Sequence, residues 1–169
     1  GVGPYDPADP DPKGVDRLIR SMQDNGLKPG SNVYAELGGT WWFVMRDPDA
    51  AAHVLGKLLK YVGEERVLWG TDSIWFGTPQ DQIQALRTFQ ISEEYQERYG
   101  YPALTDDLKA KVFGLNSAAL YDIAVPDTVC EIAATDIEQI RADLPAARTY
   151  GPTTWSEAAK IIAAHQAGF

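Results

Sequence analysis

Cysteine is all but missing: Cys130 stands alone, so no disulfide can form within the chain, and a reducing cytoplasm is the expected setting. Histidine is nearly as scarce, with only His53 and His165. Positive charge is also short. Fifteen Lys and Arg stand against twenty-four Asp and Glu, a net charge of −9. Such a chain repels phosphate backbones and anionic bilayers, which argues against nucleic acid or membrane as partner. No run is long and apolar enough for a membrane span or a secretory signal. No Gly-x-Gly-x-x-Gly, Gly-Lys-Ser/Thr or Gly-x-Ser-x-Gly pattern occurs, and Cys130 has no nearby His, so phosphate loops and nucleophile elbows find no support. No internal repeat appears beyond a strand-helix pairing, and no initiator Met precedes Gly1. With Pro4, Pro7, Pro10 and Pro12, the start reads as a loop cut from a longer chain.

What is present suits a globular α/β chain: 44% of the 169 residues are hydrophobic, enough for a core. Asp11 and Pro12 predict a helix start, Val15, Leu18, Ile19 and Met22 its apolar face, and Asn25 with Gly26 its stop. Val33, Ala35 and Leu37 alternate with Tyr34 and Glu36, predicting a short strand before a tight turn at Gly38 and Gly39. Asp47-Pro48 predicts a second helix, closed by Gly63, with Ala51, Val54, Leu55, Leu58, Leu59 and Val62 inward and His53, Lys57 and Lys60 on its polar face. The run RVLWGTD at 66–72 predicts a strand buried on both faces. A helical crossover between two strands makes them parallel.

A loop at 73–77 then leads into a helix begun by Thr78-Pro79, with Ile83, Leu86 and Phe89 apolar. Further helices are expected at 92–99, stopped by Gly100, from a Thr105 cap towards Phe113, and from an Asn116 cap through Tyr121. Thr135 with Glu138, and Thr154 with Glu157, mark two tail helices. The expected division is residues 1–123, a barrel portion, and 124–169, a helical tail. Two parallel strands make an unusually small sheet, so the expected fold is the C-terminal part of a (β/α)8 barrel, its last two strand-helix units plus terminal helices. The alternative is a small α-rich binding module that docks a protein partner.

Asp72 is the sharpest chemical candidate, since it follows an apolar strand at the end where barrels and open parallel sheets place their sites. A carboxylate there can hold a divalent metal and accept a proton; equally, an Asp at a loop start can simply cap a turn. Glu36 ends the other strand and is either a second group at the same mouth or a solvated, ion-paired residue. Trp41, Trp42, Trp75 and Phe76 follow the strand ends, as a pocket for an apolar or aromatic substrate or as ordinary filling.

The run RVLWGTDSIW at 66–75, followed by TPQDQI at 78–83, resembles the end of the last barrel strand in the amidohydrolase superfamily, in its amidohydrolase-related, metal-dependent hydrolase branch. NVYAELG at 32–38 is similar to the preceding strand and KVFGLNSAALY at 111–121 to the closing helix. This resemblance implies that Asp72 is a metal ligand and general base, with zinc the expected metal. It implies hydrolysis of C–N or C–O bonds, or decarboxylation of a small carboxylic acid, on a small-molecule substrate. The family's His-x-His pair and mid-barrel histidines have no counterpart, since His53 falls within a helix and His165 near the end. The chain alone is therefore expected to hold no tight zinc and to lack activity. It should associate with itself or with the missing N-terminal part of a barrel.

Overall fold

The computed structural model describes residues 1–125 together with 136, 138, 139 and 142. The chain divides into two compact units, Gly1–Val125 and Pro126–Phe169. Of the tail expectations, 136, 138, 139 and 142 are helical, whereas Cys130, the 154–162 helix and His165 lie outside the described residues.

The first unit is helix-rich around a two-stranded sheet. Strand β1 (Ala35–Glu36) pairs in parallel with β2 (Val67–Leu68), in the register Ala35 to Val67 and Glu36 to Leu68. The parallel pairing expected from the helical crossover is present. Both strands are shorter than the apolar runs that predict them, because ladder pairing covers only these two positions and one further bond, Leu37 N–H to the Leu68 carbonyl at 3.0 Å.

Helix α1 (Val15–Asp24) buries Ile19 and Met22 and stops at Asn25 and Gly26, the latter at φ +68°. It does not begin at Asp11-Pro12. Gly14, at φ +56°, stands at its N-cap without a side-chain cap, so the turn is set by backbone that glycine tolerates. Helix α2 (Gly38–Val44) replaces the turn expected at Gly38 and Gly39. Asp47 caps α3 (Pro48–Lys57), its Oδ1 accepting from the Asp49 and Ala50 amides, each at 3.1 Å. The helix continues as a π-turn through Leu58–Val62, and Gly63 at φ +116° closes it.

The expected polar face of α3 is corrected: only Lys60 is exposed, and every residue from Ala50 to Lys57 is buried. A helix buried all round can keep polar residues only if each finds partners. Lys57, fully buried, has them in the Gly1 and Gly3 carbonyls and the Asp16 carboxylate. Burial lowers its pKa, and Asp16 works against that shift. His53 stacks on Tyr95, meets Tyr99 and Tyr101 edge-on, and bonds the Tyr101 hydroxyl through Nδ1 at 3.0 Å.

After β2 come α4 (Ser73–Phe76), α5 (Pro79–Thr88), α6 (Glu93–Tyr99), α7 (Asp106–Ala110) and α8 (Asn116–Leu120). Thr78 and Thr105 cap α5 and α7 through their hydroxyls, as their sequence positions predict, and Ser92, expected as the first residue of a helix, caps α6 in the same way. The loop expected at 73–77 contains the single turn α4. Asn116 is no cap: it has helical dihedrals and its Nδ2 donates to the Glu64 and Val67 carbonyls at 2.8 and 2.9 Å, tying the closing helix to β2. The core gathers Trp41, Leu55, Val62, Val67, Leu86 and Ile91 around the sheet, each burial being worth roughly 1.5–3 kcal/mol.

Candidate active site at the strand ends

Because β1 and β2 are parallel, their C-terminal ends emerge together, and a carboxylate follows from each, Glu36 at the last pair of the ladder and Asp72 beyond it. Glu36 is the last residue of β1. Its Oε1 accepts from the Gly38 amide at 2.9 Å and its side chain lies across Gly70, where a Cβ would meet Oε1 at 1.3 Å. Only glycine leaves room for the carboxylate in that position.

Asp72 stands four residues past β2 in the left-handed region, φ 48° and ψ 33°, which Asp tolerates better than most residues. Although it occupies the N-cap position of α4, its side chain does not cap that helix. Its Oδ2 accepts instead from the Gly39 amide, 33 residues away, at 2.7 Å. It thus adds a remote acceptor to the first turn of α2, whose Gly38 amide is already held by Glu36. The loop-start cap expected of an Asp here is therefore real, but it serves a different helix.

The two carboxylates share one neighbourhood. A Cβ on Gly38 would lie 2.7 Å from Glu36 Oε2 and 2.8 Å from Asp72 Oδ2, so those oxygens are no further apart than the sum of the two distances. Both residues are solvent-exposed, and Asp72 Oδ1 has no hydrogen-bond partner among the described residues. One oxygen is anchored and one is free, which is the arrangement a carboxylate needs to accept a proton or bind a cation in a fixed direction.

The backbone before Asp72 is braced from behind. Gln82, on α5 and fully buried, donates from Nε2 to the Thr71 carbonyl at 2.8 Å, and its own carbonyl accepts the Trp41 indole N–H at 3.0 Å. Trp41 is thereby placed in the core, not in a pocket, and packs edge-on against Phe89.

The other aromatic candidates are at the surface. Phe76 stacks on Trp42 with centroids 4.6 Å apart and covers Gly39, and Phe43, 69% exposed, meets both rings edge-on. Arg46 lies over Trp42 at 5.3 Å. Trp75 and Ile74 project into solvent at 76% and 82% exposure. A cavity of about 250 Å³ reaches Glu36 and Thr40 from Val15, Leu18 and Leu58, and neither Asp72 nor the aromatic group lines it. His53 belongs to the tyrosine cluster on α3 and α6.

Among the described residues, no group of three or more His, Cys, Asp or Glu is placed to hold a metal ion. Zinc sites take three or four protein ligands, and the described residues bring at most the two carboxylates, so they do not fit a complete centre. No helix of the described residues is long and apolar enough to cross a membrane.

Sequence patterns pointed to Asp72 and Glu36 but missed Gly39, Phe43, Arg46 and Gln82. Gln82 left a trace: it is spaced four and seven residues before Leu86 and Phe89, a polar residue in an otherwise apolar stripe. The Gly39 amide left none.

Residues 26–123, more than half of the chain, match the family model described as Amidohydrolase. No curated protein and no solved structure matches the chain.

Proposed function

The chain belongs to the amidohydrolase family, and from that premise we propose that it supplies Asp72 as metal ligand and general base to a metal-dependent hydrolase. The observation that carries the reading is the half-anchored carboxylate: Oδ2 is held by the Gly39 amide while Oδ1 has no partner among the described residues at the parallel strand ends. Proteins of this family generally use divalent metals, and zinc is the ion proposed. When bound, such an ion polarises the substrate and lowers the pKa of water to about 7. Its other protein ligands would come from outside the described residues.

The two strand-helix units fit the last quarter of a (β/α)8 barrel, whose active site gathers at the C-terminal strand ends. Glu36, beside Asp72, would orient a substrate group or water by accepting a hydrogen bond. The half-buried rings of Phe76 and Trp42 and the exposed ring of Trp75 would face an apolar or aromatic part of a small-molecule substrate. Trp41, sealed in the core, is left out of that role. The bond broken is proposed to be C–N or C–O, with decarboxylation of a small carboxylic acid as the other reaction of the class.

In the natural polypeptide that contains this chain, Asp72→Ala and Asp72→Asn should each lower kcat by at least a hundredfold, and Asp72→Ala should release divalent metal measured by plasma mass spectrometry. Full activity and full metal content in both variants would overturn the assignment. For the chain by itself, dialysis should leave no stoichiometric zinc. Zinc retained in the wild type and lost in Asp72→Ala would contradict that expectation.

A further inference from the structure

Asp72 has no ladder to hold it, since β2 ends at Leu68 and residues 69–72 run on without strand pairing. Three hydrogen bonds nevertheless close a ring on it. Asp72 binds the Gly39 amide of α2; Trp41, two residues along α2, binds the Gln82 backbone carbonyl; and Gln82 Nε2 binds the carbonyl of Thr71, the residue next to Asp72. Every link but Gln82 is backbone, the indole, or the carboxylate itself.

Stability alone does not account for Gln82. It is fully buried, and its Oε1 has no partner among the described residues, a state in which an amide is a poorer core residue than an apolar side chain of the same shape. The Thr71 carbonyl it holds lies on a half-buried residue. What the amide contributes is the position of the 71–72 backbone. We infer that Gln82 is the positioning residue for the active carboxylate, setting through the Thr71 carbonyl and the Trp41 anchor where Asp72 stands against α2. This rests on reading Asp72 as the reacting carboxylate, but the geometry it describes holds without metal or substrate.

The experiment is amide hydrogen exchange by NMR on the full chain without metal. Gln82→Met keeps the shape of the side chain and removes its donor. The chain's melting temperature should hold or rise, while exchange at Gly39 accelerates at least tenfold relative to the core amide of Leu55. Leu86→Ala, one turn along the same helix and also buried, serves as the control for general loosening. At matched global stability it should leave the Gly39 to Leu55 ratio within twofold of wild type.

Should Gln82→Met fail to fold, Gln82→Glu reads the same point: its protonated acid can donate to the Thr71 carbonyl and its carboxylate cannot. The Gly39 to Leu55 ratio then rises with pH as the acid ionises. An unchanged ratio in Gln82→Met, an equal rise in Leu86→Ala, or a flat ratio across the Gln82→Glu titration would overturn the proposal. Loss of the catalytic assignment would show instead in the activity and metal content of the Asp72 variants, so the two failures are distinguishable.

Discussion

Asp72 performs two tasks that substitution separates. As the acceptor for the Gly39 amide it works like a helix cap, and removing such a cap costs about 0.5–2 kcal/mol. Asp72→Ala should therefore lower the unfolding free energy from urea titration by about 1 kcal/mol. Asp72→Asn keeps a carbonyl acceptor and should stay within about 0.5 kcal/mol of wild type, although it loses the proton-accepting charge. Equal destabilisation by both variants would mean that the charge, not the hydrogen bond, holds α2. His53 offers a second test. Burial, and then the charge of Lys57, lower its pKa, and burial holds the Tyr101 phenol far above its usual value, so the hydrogen bond between them joins a neutral ring and a neutral phenol. Below the ordinary histidine value of about 6.5 the unfolded chain takes up a proton that the folded chain refuses. Stability at this position is present at neutral pH and declines as pH falls below about 6.5. Thermal unfolding followed by circular dichroism should show that decline, and His53→Gln should flatten it.

At the scale of elements, local caps were readable and remote ones were not. Asp47, Thr78, Ser92 and Thr105 each act on an amide two or three residues ahead, so their pattern lies within a few letters of sequence. Helix α2 has Leu37 at its N-cap and no Ser, Thr, Asp or Asn there. It opens with two glycines and continues through aromatic and β-branched residues of weak helix propensity; Glu36 holds the Gly38 amide, while the acceptor for Gly39 comes from the remote Asp72. Packing also overrides propensity at Gly56 of α3. Alanine there would gain about 1 kcal/mol of helix propensity. Its Cβ, however, would stand 2.3 Å from two atoms of the buried Tyr101 ring, and forcing such a core apart costs typically about 1–3 kcal/mol. That ring is also tied to His53 and cannot swing away freely. Gly56→Ala should thus be destabilising by chemical denaturation, and a gain in stability would show that the ring relocates.

At the scale of the whole molecule, a parallel sheet of two strands leaves each strand with an outer edge that no described strand pairs. Phe43, Ile74 and Trp75 stand exposed near the strand ends. Unpaired edges and exposed rings favour association, so sedimentation velocity should show concentration-dependent oligomers. A monomer across a hundredfold range of concentration would contradict this. Sequence by itself determined the helix stops at Gly26, Gly63 and Gly100, the Thr78 and Thr105 caps, the parallel order of the two strands, and Asp72 as the residue to watch. All of these depend on neighbours within a few residues or on the order of elements. Tertiary structure alone decided that His53 and Lys57 are interior, that Trp41 and Gln82 brace the site, and that Asp72 caps α2. The physical reason is distance along the chain: these contacts join residues 11 to 56 positions apart, all but the Gln82 to Thr71 bond spanning 33 or more, and no local periodicity encodes a partner so remote.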